Sequence, residues 1–171
     1  MKKISTVFII CIFFISHNSF ASSLWWTENI VSLRFDVNHL SHQELQKLLS
    51  DTNKNNVLLF DVRRPEEFQM SRIKGSIQID PNMSVEYFIS LYKGKIYNKE
   101  IIFYCSVGYR SSEFIKRIEK QANSARVKKM YNLKGGIFRW YNENHRVIND
   151  QGETDNIHPS DESWADLIEK R

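Results

Sequence analysis

A short β-favouring run that stops at a cysteine is the feature that most constrains how this chain can fold. The run Ile101-Ile102-Phe103-Tyr104 leads into Cys105, and Gly108 then opens a segment with helical spacing. This order places the thiol at the C-terminal end of a buried strand. A tight loop then aims its backbone N–H groups, and the N-terminus of the next helix, at the sulfur. Such surroundings stabilise a thiolate, the nucleophilic form of cysteine, so the segment predicts thiol chemistry.

The N-terminal residues have the layout of an export signal. Lys2 and Lys3 form a basic region, Val7–Ile15 is apolar, and Ser19-Phe20-Ala21 carries the small residues that a signal peptidase needs. The apolar run is too short for a comfortable membrane span. We therefore expect residues 1–21 to be a cleaved signal peptide, with an uncleaved anchor as the alternative.

The number of cysteines sharpens the prediction for the thiol. Removing residues 1–21 takes away Cys11, two lysines and no acid, which leaves Cys105 as the only cysteine and lowers the net charge from +4 to +2. A single cysteine cannot close an internal disulfide, the usual role of cysteines in exported proteins. Cys105 is therefore a buried inert residue, an intermolecular disulfide partner or a nucleophile.

Strands and helices alternate between residues 35 and 148. The predicted strands are Val57–Val62, Ser76–Ile79, Glu100–Tyr104 and Val127–Leu133. Two helices are predicted over Val85–Tyr92, with its end at Gly94, and over Ser111–Gln121. Two more are predicted after the capping box Ser41–Glu44 and after Gly135-Gly136. This alternation predicts an α/β domain with a mostly parallel sheet and helices on both faces. Ligands of such sheets lie beyond the carboxyl ends of the strands, where both Asp61 and Cys105 fall.

The two ends of the exported chain differ from this domain. Residues 22–34 have little pattern and are predicted to be a lead-in whose Trp25 and Trp26 pack on the domain. Residues 149–171 form an acidic tail with a capped short helix, whose apolar face consists of Trp164, Leu167 and Ile168. We expect this helix to fold back on the domain; binding to a partner is the alternative.

Four motifs occur in an order and spacing that resemble the rhodanese family of sulfurtransferases. They are Asp61-Val62-Arg63 with Glu67-Phe68, then Ile73-Lys74-Gly75-Ser76-Ile77, then Cys105–Ser111, and finally Leu133-Lys134-Gly135-Gly136 with Trp140. The similarity runs from about Phe35 to Ile148 and implies a single rhodanese-like domain. With the export signal, the chain resembles the small periplasmic members of the family, which implies a periplasmic location.

The resemblance implies a sulfur relay through Cys105. Its thiolate would take a sulfane sulfur from thiosulfate or a persulfide, and a thiol or cyanide would then remove it. The loop amides would hold the anionic sulfur, and the substrate-binding loop residues would be Ser106, Val107, Gly108, Tyr109, Arg110 and Ser111. The loop carries one cation, Arg110, which would bind an anionic donor or brace the loop. Val107 and Tyr109 would line the pocket mouth or lie exposed on the loop.

The resemblance implies supporting roles for two further residues. Asp61 and Arg63 would be structural, with a catalytic role for Asp61 as the alternative. Arg63 would pair with Glu67 or Glu66 beneath the loop. No histidine is placed as an obvious base, and solvated positions are expected for His39, His42, His145 and His158.

Several other functions remain as alternatives. A phosphatase or arsenate reductase on the same fold would have one residue more between its cysteine and arginine than Cys105 and Arg110 have. A non-catalytic binding module is a second alternative, and thiol redox chemistry, for which no resolving cysteine is present, is a third.

The sequence implies no cofactor and only simple partners. It contains no metal-ligand spacing beside Cys105 and no phosphate-binding glycine loop, so neither a metal nor an organic cofactor is expected. The expected partners are a small sulfur donor, a thiol or cyanide acceptor and a possible protein sulfur acceptor. No nucleic-acid surface is indicated, and no stable membrane anchor is expected after signal cleavage.

Overall fold

The computed structural model describes residues 19–50 and 56–171. The helices are α1 (Ser19–Arg34), α2 (His42–Ser50), α3 (Pro65–Met70), α4 (Val85–Ile96), α5 (Tyr109–Ser124) and α6 (Gly136–Asn142), followed by a 3-10 helix over Glu162–Leu167. The strands are β1 (His39–Leu40), β2 (Val57–Asp61), β3 (Ile77–Gln78), β4 (Glu100–Tyr104), β5 (Lys129–Leu133), β6 (Val147–Asn149) and β7 (Gly152–Thr154).

Five strands form one parallel sheet in the order β1-β5-β4-β2-β3, and β6 and β7 form a separate antiparallel hairpin. From β2 the chain moves outward to β3, whereas from β4 it moves to β5 on the other side. The direction of winding therefore reverses between β2 and β4. A crevice opens at the carboxyl ends of the strands at such a reversal, so the loops after β2 and β4 are placed to form a site.

Helices cover both faces of the sheet, as the sequence predicted. One core layer contains Phe88 of α4 and Phe114 of α5 against Phe103 of β4. The other contains Leu45 of α2 and Phe138 of α6. Both faces of the sheet are thus removed from water, which explains why β4 is a continuous apolar run. The predicted α/β class is confirmed.

Some element boundaries differ from those predicted. Strand Glu100–Tyr104 lies where the sequence placed it. The predicted end of a helix at Gly94 is wrong, because α4 continues to Ile96, which is fully buried. Burial of Ile96 outweighs the modest cost of one glycine in a helix.

The lead-in is a helix rather than a segment without pattern. In α1, Leu24, Glu28 and Val31 recur at helical spacing and are buried against the domain. The expectation that Trp25 and Trp26 pack on the domain is wrong: they are 49% and 61% exposed and contact each other edge to face. Apolar residues on both sides of α1 hide its period, since no single stripe stands out.

The acidic tail folds back over the domain. Trp164, Leu167 and Ile168 pack against the core layer that contains α6. Asn142 of α6 holds the 3-10 helix at its end by donating a hydrogen bond to the Leu167 carbonyl oxygen over 2.9 Å. The tail is therefore part of the folded unit.

The basic and apolar parts of the expected signal peptide, and Cys11, lie outside the described residues. Among the residues that are described, no helix is both long enough and apolar enough to cross a membrane.

We expect Gly136→Ala to destabilise the fold more than Gly75→Ala. Both glycines have positive φ, but a Cβ at Gly136 would lie 2.3 Å from the Cys105 carbonyl oxygen, whereas a Cβ at Gly75 would meet nothing within 4 Å. Gly75→Ala should cost about 1 kcal/mol through backbone strain alone. Gly136→Ala should cost about 2 to 4 kcal/mol, because α6 must also move away from the Cys105 loop.

Urea unfolding of the two variants measures these losses. Equal losses would show that α6 does not pack against the Cys105 loop as described.

Candidate active site

Cys105 follows directly after β4, at the carboxyl edge of the sheet. Cys105 is only 1% exposed, yet it lines a pocket of about 600 Å³. The backbone N–H of Gly108 donates a hydrogen bond to the Sγ atom over 3.2 Å. Gly108 has a φ of 98° and directly precedes α5 as its N-cap residue, so the helix N-terminus also lies beside the sulfur. Both features stabilise a negative charge on sulfur.

Neighbouring elements hold the Cys105 loop from two sides. The carbonyl oxygens of Cys105 and Ser106 accept hydrogen bonds from the N–H groups of Ile137 and Phe138 in α6, over 2.9 and 3.1 Å. On the other side Ser111 donates to the Asn132 side-chain oxygen over 2.6 Å. A Cβ at Gly108 would lie 2.9 Å from the Asn132 amide nitrogen, so the loop passes β5 with no space for a side chain.

Glu67 of α3 is a buried carboxylate that fastens the loop from below. It accepts two hydrogen bonds of 2.8 Å from Arg110, one of 3.2 Å from Ser106 and one of 3.0 Å from the backbone of Arg64. Burial alone would raise the pKa of Glu67. The hydrogen bonds and charge of Arg110, with help from Arg64 and Arg63, instead lower its pKa to about 2.

Arg110 braces the loop, which is one of the two roles that the sequence left open. Its two terminal nitrogens bind both carboxylate oxygens of Glu67, and one of them also donates to Ser106 and Ser160. Burial opposes the charge of Arg110, but its hydrogen bonds to Glu67 and the adjacent Cys105 sulfur raise the pKa of Arg110 above its ordinary value. The guanidinium therefore stays charged close to the thiol.

The expected pairing of Arg63 with Glu67 or Glu66 is wrong. Arg63 binds Asp61 instead, through contacts of 2.9 and 2.7 Å from its Nε and Nη2 atoms, and both residues are fully buried. The sharp turn after β2 brings the two side chains together two residues apart. Burial opposes the charge of Arg63, but Asp61 raises its pKa. Arg63 also donates a hydrogen bond to the Ser71 carbonyl oxygen, so the pair stabilises the end of β2.

The structure places Val107 and Tyr109 in different surroundings, although the same surroundings were predicted for both. Tyr109 is half-buried and lines the pocket beside Cys105. Val107 is 1% exposed and packs in the core layer of α6, so neither a pocket-mouth nor an exposed position holds for it.

Most of the residues that line the pocket were not predicted from the sequence. Besides Cys105, Tyr109 and Arg110, its lining comprises Arg64, Pro81, Asn82, Glu113, Arg117, Ser160, Asp161 and Trp164. The spacing of Arg110, Glu113 and Arg117 would have placed them on one face of α5. No local pattern connects Ser160 or Trp164 with the site, because they reach it from the C-terminal tail.

The expectation of solvated histidines is wrong for His42, which is 8% exposed and lies with its ring centroid 5.1 Å from that of His145. His39, His145 and His158 are half-buried. None of the four lines the Cys105 pocket. His158 accepts the N–H of Ser160 over 2.9 Å and thereby helps to shape the tail beside that pocket.

A metal site does not emerge from the described part of the chain. No group of three or more histidine, cysteine, aspartate or glutamate residues is suitably arranged there. Cys105 is a free cysteine.

Comparisons with known proteins agree with this architecture. The family model of the rhodanese-like domain matches residues 41–143. A tRNA uridine(34) hydroxylase of Corynebacterium diphtheriae is 28% identical over 105 residues, which are 60% of this chain and 32% of that protein. The chain thus spans about a third of that relative's length.

Two solved structures share the fold. The thiosulfate sulfurtransferase of Pseudomonas aeruginosa superposes with a TM-score of 0.56 at 20% identity, covering 82% of this chain and 25% of that one. The As-Sb reductase of Leishmania major gives 0.57 at 19% identity, covering 64% and 79%.

We expect Glu67→Gln to lower the free energy of unfolding at pH 7 by about 3 kcal/mol. This value is the free-energy equivalent of the lowered pKa of Glu67. A carboxyl group whose pKa is lowered by folding stabilises the fold fully at a pH above its ordinary pKa of 4.5. This contribution is lost as the pH falls toward the folded-state pKa of about 2. The difference between the wild type and the variant should therefore shrink over that range in urea unfolding experiments.

Glu66→Gln is the matched control, because Glu66 is exposed and pairs only with the partly exposed Arg64. It should change stability by less than about 0.5 kcal/mol. A constant gap between wild type and Glu67→Gln from pH 7 to pH 3 would contradict a charged role for Glu67.

Proposed function

The chain belongs to the rhodanese-like domain family, and on that premise we propose that it is a sulfurtransferase that works through a persulfide on Cys105. One observation carries the proposal: the Cys105 sulfur lies at a pocket and receives the Gly108 N–H over 3.2 Å. That geometry favours a thiolate in a place that a small donor can reach.

In the first step the Cys105 thiolate attacks the outer sulfur of the donor. A new S–S bond forms on Cys105, the S–S bond of the donor breaks, and its electron pair leaves with sulfite or with an organic thiolate. The Gly108 N–H and the N-terminus of α5 stabilise the anionic sulfur during this exchange.

In the second step an acceptor thiolate, or cyanide, attacks the terminal sulfur of the Cys105 persulfide. The sulfur moves to the acceptor and the Cys105 thiolate is restored. The two steps balance without an external oxidant or reductant, and no histidine is needed as a base. A thiol on another protein would serve equally well as acceptor.

The oxyanion-enzyme alternative is less well supported. Oxyanion transfer requires a cation that binds the transferred group, and both terminal nitrogens of Arg110 are already bound to Glu67. Cys105 to Arg110 is also the short loop that suits a single sulfur atom rather than a tetrahedral anion. The reductase of similar fold supports shared architecture alone.

We expect residues 22–171 to gain the mass of one sulfur atom when incubated with thiosulfate or a small-molecule persulfide. Cyanide should remove this mass. Intact mass spectrometry measures both changes.

Cys105→Ser is the control and should gain nothing. If neither donor loads a folded, reduced protein, the sulfurtransferase proposal fails. Arsenate reduction or a non-catalytic binding role would then have to be assayed instead.

We also propose that the protein is exported to the periplasm and that residues 1–21 are removed. N-terminal sequencing of the protein from a periplasmic extract should begin at Ser22. A chain that starts at Met1 in the membrane fraction would support an uncleaved anchor.

A further inference from the structure

The rim of the Cys105 pocket contains a cation that the loop architecture does not use. Arg110, Glu113 and Arg117 share one face of α5 and all line the pocket. Arg110 is neutralised by Glu67. Arg117 makes no ion pair with an acid among the described residues; its guanidinium instead donates to the Pro81 carbonyl oxygen.

Two contacts hold Arg117 in place although it is exposed to solvent. The hydrogen bond to Pro81 fixes one end of the guanidinium, and the group lies 5.0 Å from the centroid of the Phe114 ring. A cation that is positioned but not neutralised is available to a ligand anion at little further cost in side-chain entropy.

The tail supplies an aromatic wall to the same pocket. Trp164 is half-buried and lines the pocket with Tyr109. The tail is fastened at the pocket by Arg64, which donates to the Ser160 carbonyl oxygen over 3.0 Å, and behind it by Asn142. Trp164 is therefore a fixed part of the pocket.

The pocket volume of about 600 Å³ is far larger than a small inorganic anion requires. Clefts of about 300 to 1,000 Å³ are typical of sites that enclose drug-sized organic ligands. The combination of an aromatic wall, a free cation and this volume suits a donor with both an organic body and an anionic group.

We propose that this pocket binds the body of an organic persulfide that carries a carboxylate. In this arrangement Arg117 pairs with the carboxylate, Trp164 and Tyr109 contact the apolar part, and the outer sulfur reaches Cys105. The inference rests on the proposed sulfurtransferase function and names the class of its donor.

The transfer balances as a thiol exchange. The Cys105 thiolate attacks the outer sulfur of R–S–SH and forms Cys105–S–SH. The S–S bond of the donor breaks, and R–S⁻ leaves with the electron pair. The carboxylate stays bound to Arg117 and takes no part in bond making, so Arg117 determines specificity and is not a catalytic residue.

A pair of donors that differ only in charge tests the proposal. The persulfides of N-acetylcysteine and of N-acetylcysteine amide have the same shape, and only the first carries a carboxylate. Rate constants for loading Cys105 in residues 22–171 can be measured by quenched-flow intact mass spectrometry. The wild type should load from the acid about tenfold faster than from the amide, and Arg117→Gln should bring this ratio close to one.

Glu113→Gln is the matched control, because Glu113 lies one turn away on the same face of α5 and has the opposite charge. Removing its negative charge should keep the acid-to-amide ratio or raise it. Trp164→Ala should lower loading from both organic persulfides relative to loading from thiosulfate.

The possible failures are distinguishable. If donors load Cys105 but the ratio is the same in the wild type and Arg117→Gln, the inference is overturned and the sulfurtransferase function stands. An equal fall in Arg117→Gln and Glu113→Gln overturns it as well. If no donor loads Cys105, both the proposed function and the inference fail.

Discussion

The buried carboxylate of Glu67 is the group on which the rest of the site depends. A charge without solvent contact is costly unless it is paired and fully hydrogen-bonded. Glu67 meets this condition with Arg110 from α5, Ser106 from the Cys105 loop and Arg64 from its own helix cap. The desolvation of one side chain therefore holds two segments that lie apart in the sequence, the start of α3 and the Cys105 loop with the start of α5, in a single arrangement.

This constraint extends from the loop to the tail through two arginines. Arg110 and Arg64, both bound to Glu67, also donate to Ser160, one to its hydroxyl and the other to its carbonyl oxygen. Because Ser160 has a positive φ of 70°, the tail turns sharply there before the 3-10 helix begins. The wall of the pocket is thus positioned by the same carboxylate that positions the Cys105 loop.

Local patterns were sufficient to predict the sheet and the position of Cys105 at its carboxyl edge, and insufficient to predict the contacts between segments. Strand Glu100–Tyr104 was predictable because burial on both faces leaves a continuous apolar run. Cys105 was placed correctly because the strand ends there. The pairing of Arg63 was not predictable, since the choice between Asp61 and Glu67 depends on the path of the turn after β2. The same limit applies to Ser160 and Trp164. They lie far from Cys105 in the sequence, and no sequence pattern indicates that they meet it in the fold.

The hydrogen bonds that hold the loop have a consequence for the proposed sulfur transfer. The Cys105 and Ser106 carbonyls are bound to α6, Ser111 is bound to Asn132, and a side chain at Gly108 would clash with Asn132 of β5. The amide that donates to the sulfur is therefore oriented before any donor arrives. Stabilisation by preorganised dipoles requires no rearrangement at the moment of reaction. The proposed persulfide adds a single atom to the thiol, so a loop held in this way can serve both states of the cysteine when the added atom extends into the pocket.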